Sequence, residues 1–231
     1  MKQVLKYLQV KNQVGDSADI HFYGDIVGSE WSKWDDTDKA PEDVLQALDE
    51  AKNASKLNIY INSAGGSVFA GLAMYNMLKR HQAHKTVYVD GVAGSIASII
   101  AMAGDVINIP SNAFLMIHKP WNILQGNASD FRKMADDLDR IETGMLSVYQ
   151  SKLAYGTTTE DIKTMLEAET WLDGKEAAKY FNVTVSDEVR YAASISDLSK
   201  YAKAPKALTA REPDNSKELE ALRLQYELLT I

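Results

Sequence analysis

The chain has 231 residues, 45% of them hydrophobic, and a formal net charge of −7 at pH 7. That length suffices for one large domain with a substantial core or for two small ones, and the negative charge argues against a broad nucleic-acid surface or adhesion to anionic membranes. Because there is no cysteine, a disulfide framework and a thiolate nucleophile are excluded, and a zinc site would rest on four histidines and the carboxylates.

The sequence shows no signal that would export or anchor the chain. Lysines interrupt the N-terminal stretch MKQVLKYLQVKNQ, which lacks the apolar run and the small-residue cleavage site of a signal peptide. The longest weakly polar run, residues 91–104, is shorter than the roughly 20 residues that a bilayer span needs. We therefore expect a cytoplasmic protein that binds neither membrane nor nucleic acid.

Strands and helices are predicted to alternate over the first 120 residues, which is the pattern of a largely parallel sheet. Period-two alternation or short apolar runs predict strands at residues 18–26, 57–66 and 85–94, and two short strands within 105–121. Helical spacing predicts helices at residues 39–56, 67–81 and 95–104. Pro41 suits the first turn of the first helix.

The second half of the chain begins with a long helical region, about residues 128–167, with a break at Gly156 and a threonine N-cap before its second part. Apolar residues at helical spacing form a stripe that a projecting helix would leave in water unless a partner subunit or its own domain covers it. The stripe consists of Phe131, Met134, Leu138, Ile141, Met145 and Val148. A closing helix and strand are predicted within residues 171–190.

The composition changes after about residue 195, where a polar stretch with two prolines predicts a linker. Leu219, Leu222, Tyr226 and Leu229 then predict a short amphipathic helix. We therefore expect one domain over residues 1–195 and a linker with a C-terminal helix over residues 196–231.

Two predicted strands end in residues suited to acyl-transfer chemistry. Gly65 and Gly66 end one strand, and a glycine pair can turn free backbone N–H groups toward an anionic oxygen. Ser95 ends the next strand at the start of a helix, where developing negative charge is favoured. A serine hydroxyl needs a base to remove its proton, and His118, at the end of the run FLMIH, is the best placed of the four histidines.

These stretches carry a resemblance to a known family. INSAGGSVFAG, GVAGSIAS, FLMIHKP and ETWLDGKEAAKYFNV resemble, in order and spacing, the glycine loop, nucleophile, histidine and third-member segments of the ClpP-like serine peptidases. The resemblance runs from about residue 18 to 190. It implies a ClpP/crotonase-like α/β fold of repeated β-β-α units, with a mostly parallel sheet and a protruding helical handle at about residues 128–167.

Carried over by position, the resemblance implies that Ser95 is the nucleophile and His118 the general base, with the backbone N–H groups of Gly66 and Ile96 as the oxyanion hole. The family's third member is usually an aspartate two residues before an aromatic. Glu169 holds that position here, two residues before Trp171, and is one methylene longer. Asp173 is the alternative acid, although it also suits an N-cap for a helix beginning at Gly174.

The insert GSEWSKWDDTDKAPEDV, together with the lack of a clear counterpart of the family's axial loops, resembles the ClpP-related peptidases of phage head-assembly modules. This resemblance implies a prohead protease that cuts scaffold or capsid precursors. It would act as a homo-oligomeric ring in the host cytoplasm or prohead, without a metal or cofactor, and no ATPase partner is expected to be required. Residues 121–129 are either an exposed strand that binds extended peptide or an ordinary loop before the long helix.

Three other functions remain open at this point. A crotonase-type enzyme would act on acyl-CoA and would not need Ser95 or His118. A relative with a serine–lysine dyad is usually tethered to a membrane, and neither a tether nor a dyad lysine is visible. A catalytically silent assembly protein is favoured by the change of the third member to Glu169.

Overall fold

The computed structural model describes residues 11–14, 16–187, 198 and 200–205, and in this part of the chain one sheet and six α-helices form the fold. The strands are β1 (Lys11–Val14), β2 (Ser17–Tyr23), β3 (Lys56–Ser63), β4 (His84–Gly94), β5 (Val106–Pro110), β6 (Phe114–Ile117), β7 (Thr170–Asp173) and β8 (Thr184–Ser186). The helices are α1 (Pro41–Glu50), α2 (Val68–Arg80), α3 (Ile96–Ala101), α4 (Ala128–Gln150), α5 (Thr159–Glu167) and α6 (Gly174–Tyr180).

The sheet is mostly parallel, as the sequence predicted. Its order is β1-β2-β3-β4-β5-β8, with β6 beside β4 and β7 beside β6. Only the β1/β2 and β6/β7 pairs are antiparallel among the pairs described. This mixed α/β architecture with a mostly parallel sheet is the fold class that the resemblance implies.

The central strands alternate between buried and partly exposed positions. Side chains that alternate along a strand point to opposite faces of the sheet, so the buried set on one face forms the core. Phe22 on β2 and Ile59 on β3 are fully buried. Helix α1 begins at Pro41, as predicted, and packs Val44 and Leu48 against this core. Each fully buried side chain of this size stabilises the fold by about 1.5–3 kcal/mol.

The long helical region consists of two helices, α4 and α5, which are separated by residues 151–158. Asn127 caps α4 by accepting from two backbone N–H groups, and Thr158 caps α5. The C-terminal half of α4 packs on its own domain, where the buried Tyr149 hydroxyl lies 2.7 Å from the Ser98 hydroxyl on α3. The N-terminal half is less covered, and Phe131 is 52% exposed. The fold therefore covers only part of the predicted stripe.

The segment predicted as a linker contains two buried side chains. Leu198 and Tyr201 pack against Ala64 and Met116, with Trp171 alongside. The linker prediction is wrong at these positions, because two apolar side chains inside a polar stretch leave no periodic pattern. The predicted amphipathic helix lies outside the described residues, and the domain boundary at residue 195 stays a prediction.

Candidate active site

The pairing of β4 with β6 brings the predicted serine and histidine to the same end of the sheet. Gly94, the last residue of β4, is the register partner of Met116 on β6. The N–H of the next residue, Ser95, donates to the Met116 carbonyl over 2.8 Å. Because His118 directly follows β6, these backbone contacts place it beside Ser95.

Ser95 and His118 form a hydrogen bond in the geometry that proton transfer requires. The distance between Ser95 Oγ and His118 Nε2 is 2.7 Å, within the range for a nucleophile and its base. A neutral imidazole protonated at Nδ1 accepts the hydroxyl proton at Nε2. Ser95 also has a positive φ of 52°, a conformation that costs a non-glycine residue free energy and is concentrated at functional sites.

The glycine pair lies directly against Ser95. A Cβ atom on Gly65 would lie 2.8 Å from the Ser95 Cβ, and one on Gly66 would lie 2.1 Å from the Ile26 carbonyl oxygen. Both glycines have positive φ, so the loop requires residues without a side chain. Among the described residues, the N–H groups of Gly66 and Ile96 donate no hydrogen bond.

The β6/β7 pairing distinguishes the two candidate acids. Ile117 is the register partner of Thr170 in this antiparallel pair, so His118 and Glu169 both lie just beyond the same end of the pair, close enough for the charge of Glu169 to act on His118. Asp173 pairs with Phe114 at the opposite end of β6, four residues or about 13 Å away along the strand.

Asp173 has a local structural role instead. Its carboxylate accepts from the Glu176 N–H over 2.8 Å and caps α6, as its position before Gly174 predicted. The geometry therefore brings Glu169, and not Asp173, to the histidine.

The Glu169 carboxylate is held by hydrogen bonds from three groups. Its Oε1 accepts from the Lys203 N–H over 2.6 Å and from the Trp171 indole over 3.4 Å, while Oε2 accepts from the Ala202 N–H over 3.1 Å. Within the described part of the chain, no hydrogen bond joins this carboxylate to His118. Glu169 itself has a positive φ of 47°.

The surroundings of His118 set its charge state. Burial lowers the pKa of the imidazole, the negative charge of Glu169 acts against this change, and the positive charge of Lys200 adds to it. The net direction is downward from the ordinary value of 6.5. The neutral form, which accepts a proton, therefore predominates at neutral pH.

A cavity of about 360 Å³ opens in front of the serine. Trp121 and Ile123 line it beside Ser95 and His118, and they are 58% and 83% exposed. The segment from 118 to 127 has no regular secondary structure, so the prediction of an exposed strand near residues 121–129 is wrong for this part. Pro120 has no backbone N–H to donate a hydrogen bond, which disfavours a paired strand.

Sequence reasoning missed Tyr201. Its ring meets the His118 ring edge to face, at a centroid distance of 5.3 Å and an angle of 83°. Burial raises the pKa of Tyr201 to about 12, so its phenol stays protonated. The contact joins residues 83 positions apart, and no local pattern in the polar stretch SKYAKAP indicates it.

The described residues show no grouping of three or more histidines and carboxylates able to hold a metal ion. Of the helices in this part of the chain, none is long and apolar enough to cross a membrane.

Comparison with known proteins gives a family match over most of the chain. The family model described as Clp protease matches residues 26–183. The ATP-dependent Clp protease proteolytic subunit of Porphyromonas gingivalis is 30% identical over 144 residues, which cover 59% of this chain and 64% of that protein. The corresponding subunit of Bacteroides fragilis is 28% identical over 138 residues, covering 59% and 66%. The chain thus matches less than two thirds of the length of these curated relatives.

Proposed function

Because the chain belongs to the Clp protease family, we propose that it is a serine endopeptidase with Ser95 as nucleophile, His118 as general base and Glu169 as third member. The observation that carries this proposal is the 2.7 Å hydrogen bond between Ser95 Oγ and His118 Nε2. It is supported by the lowered pKa of His118, which keeps the imidazole able to accept a proton.

In the proposed reaction, Ser95 Oγ attacks the carbonyl carbon of the scissile peptide bond while His118 Nε2 takes the hydroxyl proton. The N–H groups of Gly66 and Ile96 donate to the oxyanion of the tetrahedral intermediate. When that intermediate collapses, the C–N bond breaks and the imidazolium gives its proton to the leaving amine.

Deacylation repeats these steps with water. His118 takes a proton from a water molecule, which attacks the acyl-enzyme, and the proton returns to Ser95 as the carboxylic acid leaves. Glu169 favours the Nδ1-protonated tautomer and stabilises the imidazolium through its negative charge. Every proton moves between groups of this chain, the substrate and water, so the mechanism uses no metal or cofactor.

The proposed biological role is that of a phage or prophage prohead protease, acting as a homo-oligomeric ring in the host cytoplasm or within the prohead. Scaffold and major capsid precursors are the proposed substrates, and an ATPase partner is not required. The insert of residues 28–44, with Trp31 and Trp34 almost fully exposed, supports this role through its resemblance to the phage-encoded relatives.

A second candidate is a catalytically silent assembly protein. The observation that favours it is that Glu169 makes no hydrogen bond to His118 within the described residues, so the imidazole lacks a bonded orienting acid. In this case Ser95 would be unreactive although the fold and the subunit contacts remain.

Hydrolysis of unfolded casein without ATP tests the proposed function. We expect the wild type to degrade casein and Ser95→Ala to lose activity by a factor of about 10³ or more, with circular dichroism showing the same fold. Activity retained in Ser95→Ala would contradict the assignment of the nucleophile. A folded wild type that leaves casein intact would favour the silent assembly protein.

A further inference from the structure

A short C-terminal segment lies across the active site, beyond the residues that the family model matches. We call residues 200–205 the active-site strap. The family match ends at residue 183, so nothing in it assigns a role to these residues. Tyr201 is only 7% exposed, and Leu198, just before the strap, is 4% exposed. The strap is therefore packed against the domain and is not a free linker.

Tyr201 contacts both the histidine and β7, the strand that directly follows Glu169. One side of its ring meets the His118 imidazole, and another meets the Trp171 indole at a centroid distance of 6.0 Å. Its hydroxyl donates to the carbonyl of Ala64, the residue before the glycine pair. One side chain thus connects the imidazole, β7 and the glycine loop.

The strap also holds the acid. Its backbone N–H groups at Ala202 and Lys203 donate to the two different oxygens of the Glu169 carboxylate. This arrangement fixes the plane of the carboxylate, because rotation about the last side-chain bond would break both hydrogen bonds. A carboxylate accepts about four hydrogen bonds, and Oε2, with one donor, retains capacity for a further one.

The N-terminal end of the strap is anchored on the opposite side of the site. Lys200 Nζ lies 3.7 Å from the Asp25 carboxylate. Asp25 directly precedes Ile26, whose backbone exchanges hydrogen bonds with Gly65 and Ser67 around the glycine pair. The strap is therefore attached to Ser95, His118, Glu169 and the glycine loop.

We propose that the active-site strap completes the peptidase site, with Tyr201 as a positioning residue that holds the His118 imidazole against Ser95 while the strap amides orient the Glu169 carboxylate. This inference rests on the proposed serine peptidase function. Tyr201 forms no bond in the reaction and acts through the imidazole and through the hydrogen bond between its hydroxyl and the Ser95 side chain.

Loss of the Tyr201 ring has two physical consequences. The imidazole gains room to rotate away from Ser95 Oγ, and a displacement of about 1 Å can cost on the order of 100-fold in rate. Water also reaches the His118 imidazole, which weakens the burial that lowers its pKa. The groups that face this imidazole are Ser95, Glu169, Lys200 and Tyr201. Because burial is the main cause of the lowered pKa, the pKa of His118 in Tyr201→Ala is expected to rise toward 6.5.

The test compares Tyr201→Ala and Tyr201→Phe with the wild type and with Tyr155→Ala, a control at a fully exposed tyrosine. The first readout is the rate of Ser95 labelling by a fluorophosphonate probe as a function of pH. The second is the NMR titration of the His118 imidazole in full-length protein, with its signal assigned from the spectrum of His118→Gln. Thermal unfolding establishes that each variant is folded.

We expect Tyr201→Ala to slow labelling by about 10- to 100-fold and to raise the pKa of His118. Tyr201→Phe keeps the ring and loses the hydroxyl that bonds with Ala64 and Ser95, so it should lose less than about tenfold in rate and keep the wild-type pKa of His118. Tyr155→Ala should match the wild type in both readouts.

Labelling of a folded Tyr201→Ala at the wild-type rate or faster would overturn the inference, and a faster rate would make the strap an inhibitory segment instead. An unchanged pKa of His118 in that variant would also overturn it. A wild type that never reacts with the probe contradicts the proposed function, and the NMR titration then still decides whether Tyr201 positions the imidazole.

Discussion

At the level of single residues, the proposed chemistry requires a neutral and oriented His118 imidazole. Burial lowers its pKa more than the Glu169 carboxylate raises it. A base with a lowered pKa remains unprotonated as the pH falls below 6.5, so the enzyme is expected to keep its nucleophile activated in mildly acidic solution. Once the pH falls below the lowered pKa of His118, the protonated imidazole no longer accepts the Ser95 proton.

The pH dependence of Ser95 labelling tests the identity of the third member. Half-maximal labelling of the wild type is expected below pH 6.5, the ordinary pKa of histidine. Glu169→Gln removes the charge that raises the pKa of His118, so the midpoint should move to lower pH while the plateau rate falls.

Asp173→Asn is the matched control, because it changes the alternative acid. Asparagine caps a helix about as well as aspartate, so this variant should keep the stability of α6 and leave the midpoint unchanged. The assignment of Glu169 is contradicted if Asp173→Asn shifts the midpoint and Glu169→Gln does not.

The proximity of Ser95 and His118 could be predicted from sequence, whereas their catalytic roles stay a prediction. Ser95 and His118 each follow a strand, and parallel strands end at the same edge of a sheet, so their proximity follows from the strand pattern. The choice between Glu169 and Asp173 depended on the antiparallel register of β6 and β7, which spacing alone does not determine. Tyr201 reaches the site through tertiary packing and leaves no sequence pattern.

At the scale of the structural elements, the glycine loop between β3 and α2 is the most constrained segment of the site. Gly66 has a φ of 145°, and a Cβ atom there would lie 2.1 Å from the Ile26 carbonyl oxygen. The neighbouring atom is backbone and cannot move aside without displacing the loop. The N–H groups that are proposed to bind the oxyanion depend on this conformation.

Gly66→Ala is therefore expected to destabilise the protein by about 2 to 3 kcal/mol and to abolish labelling of Ser95. Gly144→Ala is the control, since Gly144 lies within α4 and a Cβ there meets nothing within 4 Å. It should stabilise the protein by about 0.5–1 kcal/mol through its higher helix propensity. Chemical denaturation measures both changes, and a Gly66→Ala variant with wild-type stability and labelling would contradict this view of the loop.

The order of strands and helices could be predicted from sequence because hydrophobic periodicity and capping residues are local signals. The helix beginning at Pro41 and the cap at Thr158 are examples. Residues 121–129 were expected to form an exposed strand that binds peptide or an ordinary loop, and the described structure shows no strand pairing at residues 118–127. The pairing of β6 with β7 is a contact between distant segments and left no local signal.

At the scale of the whole molecule, α4 gives the clearest indication of self-association. Its C-terminal half is buried against α3, whereas Phe131 near its N-terminus is 52% exposed. Continuous apolar surface on a projecting helix is costly in water. A second copy of this chain is the proposed partner, in keeping with the homo-oligomeric ring proposed above.

Phe131→Glu is expected to weaken assembly by placing a charge in that contact, without unfolding the domain. Sedimentation velocity should show a smaller species for Phe131→Glu and the wild-type species for Tyr155→Glu, whose side chain is fully exposed outside the stripe. A Phe131→Glu protein that sediments as the wild type does would exclude this part of α4 from the subunit contact.

The most direct test of the central claim is the intact mass of the wild type and of Ser95→Ala after treatment with a fluorophosphonate probe. We expect a single adduct on the wild type and none on Ser95→Ala, because only a serine activated by His118 reacts at this site. If neither folded protein gains the adduct, Ser95 is not an activated nucleophile and the chain is a silent member of its family.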